Sequence, residues 1–286
     1  MPSPARGSPF HSLDRIANHR TDNGAPTKVQ AMISIYAMCC GRLEFDRTLF
    51  FPDEAPGARL TIPVPSFLIR HDRGTVLFDT GVDCYAHLDP VARLGKRISS
   101  VFALRAARNE NVIDQLASVD LKTDDVTHVI NSHLHFDHCG CNALFPRATF
   151  IVQRAEMDMA RAPKSPYNPA HWDQPFDYRL VDGAHDVFGD GVLVLIPTHG
   201  HTAGHQSLRV HAAPGVEFVL TADACYSRAH LDREILPVAG ATWNPQMMIE
   251  TYSQLRTLQE RHGCHLVFGH DPDQWATMRH APEPML

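Results

Sequence analysis

The sequence predicts an α/β (α+β) domain in which two packed sheets carry their helices on the outside. Three observations predict it: strand-like apolar runs dominate each half of the chain, each half also ends in a helical segment, and neither a composition break nor a low-complexity linker separates the halves. The 286 residues are 44% hydrophobic and 20% charged, which is enough apolar material for a sizeable core and unlike a disordered or collagen-like chain. Residues 1–28 are polar and carry Pro2, Pro4, Pro9 and Pro26; they are expected to form a tail or covering arm, with 29–286 as a single domain.

Residues 32–39, 60–70 and 75–78 are short, β-rich and apolar, and His71-Asp72-Arg73-Gly74 between the last two is hairpin chemistry, so the chain opens with antiparallel strands. The segment 82–110 is too polar for core and too long for a tight turn, and reads as helices over a site. Asn111 caps a short helix whose apolar residues are Val112, Ile113, Leu116 and Val119. Buried strands follow at 127–131, 149–153, 192–196, 206–211 and 217–221, several set apart by Gly or Pro. Between the second and third lies a loop, 163–175, with Tyr167 and Trp172. Asn244-Pro245 starts a helix with Met248, Tyr252, Leu255 and Leu258 on one stripe; Gly263 stops it, and 265–268 is the last strand.

Charge and cysteine usage narrow the class. The balance of 26 basic against 32 acidic residues gives −6, with no Lys/Arg run to track a phosphate backbone, which argues against nucleic acid. No stretch approaches the ~20 apolar residues a bilayer span needs. The seven cysteines lack a repeating spacing, and the arginines near the N-terminus lead into no apolar core, so a reducing, cytoplasmic setting is expected.

The chemistry lies in the histidines, 19 in all. After the strand at 127–131 comes Ser132-His133-Leu134-His135-Phe136-Asp137-His138. In an extended segment residues i and i+2 point the same way, so His133 and His135 can bind one ion from one side. Asp137 and His138 follow where the chain must turn and can face a second ion. Further ligands should come from other strand ends, where His205, Asp223 and His270 stand. His205 closes Pro197-Thr198-His199-Gly200-His201-Thr202-Ala203-Gly204-His205, a loop whose glycines allow a tight bend. His199 and His201 compete with it for the ligand role; the loop pattern favours His205 and leaves the other two in the pocket wall. His71, His87, His128, His211 and His265 read as ordinary surface or core residues.

These residues resemble the metallo-β-lactamase superfamily, marked by His-x-His-x-Asp-His, from about residue 32 onward. Within it the chain is similar to N-acyl-homoserine lactonases through Cys40-Gly41-Arg42-Leu43, Leu77-Phe78-Asp79-Thr80-Gly81, the 132–140 motif, Gly200–Ser207, Asp223-Ala224-Cys225-Tyr226 and Phe268-Gly269-His270-Asp271. The resemblance implies a four-layer αβ/βα sandwich of two mixed sheets flanked by helices. It implies two divalent ions, zinc first, with Co, Mn or Fe compatible. His133, His135 and His205 would hold the first ion, Asp137, His138 and His270 the second, and Asp223 would bridge them. Asp79, otherwise a turn residue, would support a metal-bound histidine. Cys141 stands where such proteins usually have Gly.

The implied reaction is opening of a lactone ring. Two ions ~3.5–4 Å apart hold a hydroxide between them and polarise the ester carbonyl, so no protein nucleophile is needed. Asp137 is the proton shuttle to the leaving alkoxide, and Tyr226, three residues after the bridging aspartate, supplies a hydrogen bond to a lactone oxygen. The implied partner is a small-molecule lactone, with a homodimer as a further expectation. Phe102, Leu104, Met157, Tyr167, Trp172 and Phe176 lie in the two segments most able to cover a site, where each can line an acyl channel or simply pack its segment down. The competing readings keep the metals and change the substrate: another lactonase or an organophosphate triesterase. A nuclease is opposed by the net charge, and a di-iron oxygen reductase by His135 where it would carry Glu.

Overall fold

The computed structural model describes residues 33–285, so the tail or covering arm expected over 1–28 lies outside the described residues. Two mixed sheets hold the strands. The first runs β4 (Ala103–Leu104), β1 (Ser34–Asp46), β2 (Arg59–His71), β3 (Gly74–Phe78), β5 (His128–Ile130), β6 (Thr149–Gln153) and β7 (Asp177–Val181). The second runs β12 (His265–Phe268), β11 (Val216–Ala222), β10 (Gln206–Ala213), β9 (Leu193–Pro197) and β8 (His185–Asp186). The opening strands pair antiparallel as expected, with the two-residue turn Asp72-Arg73 closing the β2–β3 hairpin; β3, β5, β6 and β7 then pair parallel. In the second sheet only the β11–β12 pair is parallel.

Side chains alternate across each strand, and this sorts the apolar runs into two cores. Ile69, Val76, Phe78, Ile130 and Ile151 face the second sheet and meet Leu195, Leu208, Val210 and Leu220. Their neighbours Leu68, Leu77, Val129 and Phe150 face the other way. Strands covered on both faces are apolar at consecutive positions, which is why 76–78 and 150–152 show no alternation.

The helices are α1 (Pro90–Leu94), α2 (Lys96–Val101), α3 (Val112–Ala117), α4 (Arg154–Arg161), α5 (Pro169–Trp172), α6 (Arg228–Arg233), α7 (Pro245–His262) and α8 (Pro272–Thr277). α3 covers the outer face of the first sheet with Val112 and Leu116, its Asn111 side chain accepting from the Asp114 amide. In α7 the Asn244 side chain accepts from the Met247 amide, Gly263 ends the helix at φ 67°, and Met248, Tyr252, Leu255 and Leu258 are buried. The helix packs on β12. α1 and α2 form within the segment expected to yield helices. Three strands carry no sequence signal: β4 and β8 are two-residue pairings without a pattern, and β7 is a half-exposed edge strand.

The carboxyl ends of β3, β5, β11 and β12 come to one edge of the sandwich, where the chain leaves each strand for a loop. Asp79 follows β3, Ser132 to His138 follow β5, Asp223 follows β11 and His270 follows β12. The β9–β10 loop reaches the same edge because its Gly200 lies against the start of α7. A Cβ on Gly200, at φ +130°, would collide with the Met248 amide nitrogen. We expect Gly200→Ala to cost ~2–4 kcal/mol through this clash and the positive φ, read as a lowered urea midpoint. A wild-type midpoint would show that the loop has room to move off the helix.

Candidate metal centre

Two groups of side chains converge at this edge: His133, His135, His201 and Asp223 in one, Asp137, His138 and His270 in the other. In the first, His135 Nδ1 lies 2.9 Å from His133 Nε2 and 2.8 Å from His201 Nε2, and the two Nε2 atoms are 3.2 Å apart. Asp223 faces both groups. Its Oδ2 is 3.3 Å from His201 Nε2 and 3.8 Å from His133 Nε2, while its Oδ1 is 3.1 Å from His138 Nε2 and 3.0 Å from His270 Nε2. Asp137 Oδ2 stands 3.8 Å from both His138 Nε2 and His270 Nε2.

The partners behind the rings fix their tautomers. His138 Nδ1 donates to Asp79 Oδ2 at 2.8 Å and His270 Nδ1 to the Pro63 carbonyl at 2.9 Å. Ser132 Oγ gives its only proton to Asp79 Oδ2 and therefore accepts from His133 Nδ1. The same reasoning reaches His205. Ser207 Oγ donates to the Thr221 carbonyl, so Thr198 Oγ1 donates to Ser207 and must accept from His205 Nδ1.

With their Nδ1 atoms so engaged, and that of His201 2.8 Å from the Ala241 carbonyl, five rings turn Nε2 toward the cluster, and those of His133, His138, His201 and His270 face Asp223 oxygens. Lone pairs set against carboxylates repel unless a cation, a ring proton or a metal ion, sits among them. His138 Nε2, His205 Nε2 and Asp223 Oδ1 are buried with no hydrogen-bond partner among the described residues, as metal-ligating atoms would be. Nitrogens ~2.0–2.1 Å from a tetrahedral zinc lie about 3.3–3.4 Å apart, so the first group need spread only slightly to admit an ion. The donor set therefore fits two divalent ions.

Charge tells the same story. Burial, and then His138, His135 and His201, push His133 well below the usual histidine range, and burial followed by His201 does so for His135 and His205. Burial also opposes a proton on His138, but Asp223, Asp137 and Asp79 outweigh it and raise this ring well above the usual range. The anionic surplus around His138 is what a bound cation would neutralise.

Two turns hold the carboxylates in uncommon backbone conformations. Asp79 has φ 60° and Ala222, just before Asp223, has φ 45°. Asp79 then accepts from the Ser132 amide, Ser132 Oγ and His138 Nδ1, so the support expected of it toward a histidine is present.

The glycine loop differs from the sequence reading at one point. His201, expected in the pocket wall, stands inside the first group, and His205 stands beside it with its ring centroid 5.1 Å from that of His133. The reason is the shape of the loop. Thr198 N donates to the His205 carbonyl, which ties His205 to the base of the β9–β10 hairpin, whereas His201 sits at the tip. The Trp243 amide on its carbonyl and the Ala241 carbonyl 2.8 Å from its Nδ1 draw that tip over His133 and His135. His199 is half-buried and outside both groups. Cys141 is engaged elsewhere: its thiol donates to the Val82 carbonyl and accepts from the Cys84 amide.

A cavity of about 210 Å³ opens over the cluster, walled by Leu49, Phe50, Ile62, Ile98, Val101 and Phe102, with Asp137 and Tyr226 at its floor. Of the six apolar residues in the segments able to cover a site, Phe102 lines this cavity and Tyr167 an adjoining one. Met157 and Trp172 instead pack with Leu134 and Cys139, Leu104 packs beside Phe45, and Phe176 stacks on Phe150. Tyr226 stacks on Phe50 with ring centroids 4.1 Å apart, and its hydroxyl is 3.1 Å from His201 Nδ1. Burial and then Asp223 raise its phenol well above the usual range, so it keeps its proton and can donate.

Residues 60–270 match the metallo-beta-lactamase superfamily profile. The chain belongs to the metallo-beta-lactamase superfamily. It is 35% identical over 260 residues to N-acyl homoserine lactonase AttM of Agrobacterium fabrum, covering 88% of this chain and 98% of that one. To N-acyl homoserine lactonase AiiA of Bacillus thuringiensis subsp. kurstaki it is 29% identical over 249 residues, covering 87% and 97%. A solved N-acyl homoserine lactone hydrolase with N-hexanoyl-L-homoserine at its catalytic metal center superposes with a TM-score of 0.79 at 27% identity, covering 88% of this chain and 98% of that one. Among the described residues of this superfamily member, no helix is long and apolar enough to cross a membrane.

One residue of consequence carries no sequence signal. Glu156, in the first turn of α4, is fully buried between the two histidine-bearing loops. A glutamate there reads as an exposed favourable charge at a helix start, and nothing local marks it otherwise.

We expect His205→Ala to fall from about two bound ions per chain to about one, and His201→Ala to keep both. The two rings differ in what satisfies them. His201 Nδ1 donates to the Ala241 carbonyl and its Nε2 lies 2.8 Å from His135 Nδ1, from which it can accept, whereas His205 Nε2 has no protein partner among the described residues. Elemental analysis after dialysis of zinc-loaded protein checks this. The reverse pattern would give the ligand role to His201.

Proposed function

We propose that this protein hydrolyses N-acyl-homoserine lactones, opening the ring to the N-acyl-homoserine. Two zinc ions would be held by His133, His135 and His205 on one side and Asp137, His138 and His270 on the other, with Asp223 as the shared carboxylate and His201 beside the first group. When bound, such ions supply Lewis acidity and lower the pKa of a coordinated water toward neutrality. The chain's own groups do the rest. Asp137, on the cavity floor, takes the proton released as the water oxygen adds to the lactone carbonyl carbon, and delivers it to the ring oxygen as the carbon–oxygen bond breaks. The leaving alkoxide stays tethered, so one carboxylate in reach of both oxygens suffices.

The observation that carries the lactone reading is Tyr226, a buried, protonated phenol three residues after Asp223, standing where an ester oxygen above the cluster would meet a donor. The apolar wall supports an acyl chain, and the relatives named above are homoserine lactonases at 29–35% identity.

Purified, zinc-loaded protein should open a series of N-acyl-homoserine lactones of increasing chain length and lose this activity to a chelator; faster turnover of a phosphotriester than of every lactone would overturn the reading. Tyr226→Phe should retain both ions and the wild-type Tm yet lose ~10 to 1000-fold in kcat/KM, the scale of one transition-state hydrogen bond. Unchanged kinetics with a lower Tm would make the tyrosine a packing residue.

A further inference from the structure

Glu156 makes four hydrogen bonds, and their addresses matter. Its Oε1 accepts from the Leu134 amide at 3.0 Å and the Tyr167 hydroxyl at 2.7 Å, and its Oε2 accepts from the Thr202 hydroxyl at 2.7 Å and the Gly204 amide at 3.1 Å. Leu134 lies between His133 and His135, Thr202 follows His201, Gly204 precedes His205, and the Tyr167 ring stands edge-on to His135 with centroids 5.1 Å apart. One buried carboxylate thus holds a chain neighbour of every histidine around the first ion. It touches nothing around the second, where His138 and His270 lean on Asp79 and the Pro63 carbonyl. The approach is tight: a Cβ on Gly204 would collide with the Glu156 amide nitrogen.

We propose that Glu156 is a positioning residue for one metal ion of the pair, holding the 133–135 segment and the 201–205 loop at the separation that lets their imidazoles share that ion. Its partners include an amide N–H on each oxygen, and an N–H can only donate, so the role requires a carboxylate. A glutamine of the same shape accepts on one side and sets its NH2 against Leu134 or Gly204 on the other, whichever way it is turned. The inference uses the two-ion reading above and is independent of the substrate and of which loop histidine binds.

The test is stepwise removal of Zn(II) by a competing chelator from fully loaded wild type, Glu156→Gln, Thr202→Val and the double variant, with Tm recorded on each. Glu156→Gln is expected to release one ion ~10–100-fold more readily while the second keeps its wild-type affinity, and added zinc should restore hydrolysis. Thr202→Val should weaken the same ion by less, and should add little in the Glu156→Gln background because the two changes act through one contact. If Glu156→Gln does not fold, Thr202→Val and Tyr167→Phe carry the same prediction in milder form. Loss of Tm with both ions released as in wild type, or equal loosening of both, would overturn the proposal. Failure of wild type to hold two ions, or to open lactones, would appear in the wild-type arm and count against the proposed function instead.

Discussion

Imidazole lone pairs gathered around buried carboxylates repel what they face, and this repulsion is what the rest of the architecture is arranged to withstand. Each ring offers a bare nitrogen because something behind it takes its other proton: Asp79, Ser132, the Thr198 hydroxyl and the Pro63 carbonyl. These acceptors come from the turn after β3, from the start of the 132–138 motif, from the residue after β9 and from β2. The sandwich is the frame that brings those four groups to one edge. A cation then converts the array from mutual repulsion to shared attraction, which makes metal binding and local stability two faces of one free energy.

The frame carries strain where the carboxylates are placed. Asp79 and Ala222 occupy left-handed backbone that non-glycine residues enter at a cost of ~1–3 kcal/mol each. Both lie at the carboxyl end of a strand. An extended continuation there would carry the carboxylate past the cluster; the left-handed step turns it back. Asp79 shows what holds the strain in place, since its side chain satisfies the Ser132 amide and hydroxyl along with His138. Gly269 belongs to the same arrangement, because a Cβ on it would collide with the Ala222 carbonyl oxygen.

Much of this is legible in the sequence, for reasons that differ between residues. The strands at 149–153 and 265–268 and the helix from Asn244 to Gly263 are readable because burial and capping leave local signatures. The ligand-type residues at 133–138 are readable because four such side chains in six positions after a buried strand rarely arise as surface decoration. The approach of His201 is not, since its place over His133 and His135 depends on Ala241 and Trp243, forty residues further along the chain. Glu156 is not, because its partners at 134, 167, 202 and 204 are scattered and meet only on folding. Part of the cavity wall is readable as a segment, 82–110, but which of its residues face the cluster is not, and Leu49, Phe50 and Ile62 join the wall from elsewhere in the chain.

The ligands and the wall differ in how they are held, and this separates chemistry from selection. The ligand-type residues sit within a residue or a few of strand ends whose backbones are fixed on both faces by buried side chains. The wall contributed by α2 comes from a helix of six residues, too short to be stable alone, and pinned to the domain by Ile98 and Phe102. Leu88, Val91 and Val101 of the 82–110 segment remain exposed to solvent. Substitutions there change the shape and polarity of the cavity while leaving the bonds behind the imidazoles untouched. Substitutions behind the imidazoles do the reverse. A hydrolase built this way can alter the acyl group it accepts without rebuilding its metal centre, because the two functions draw on different contacts.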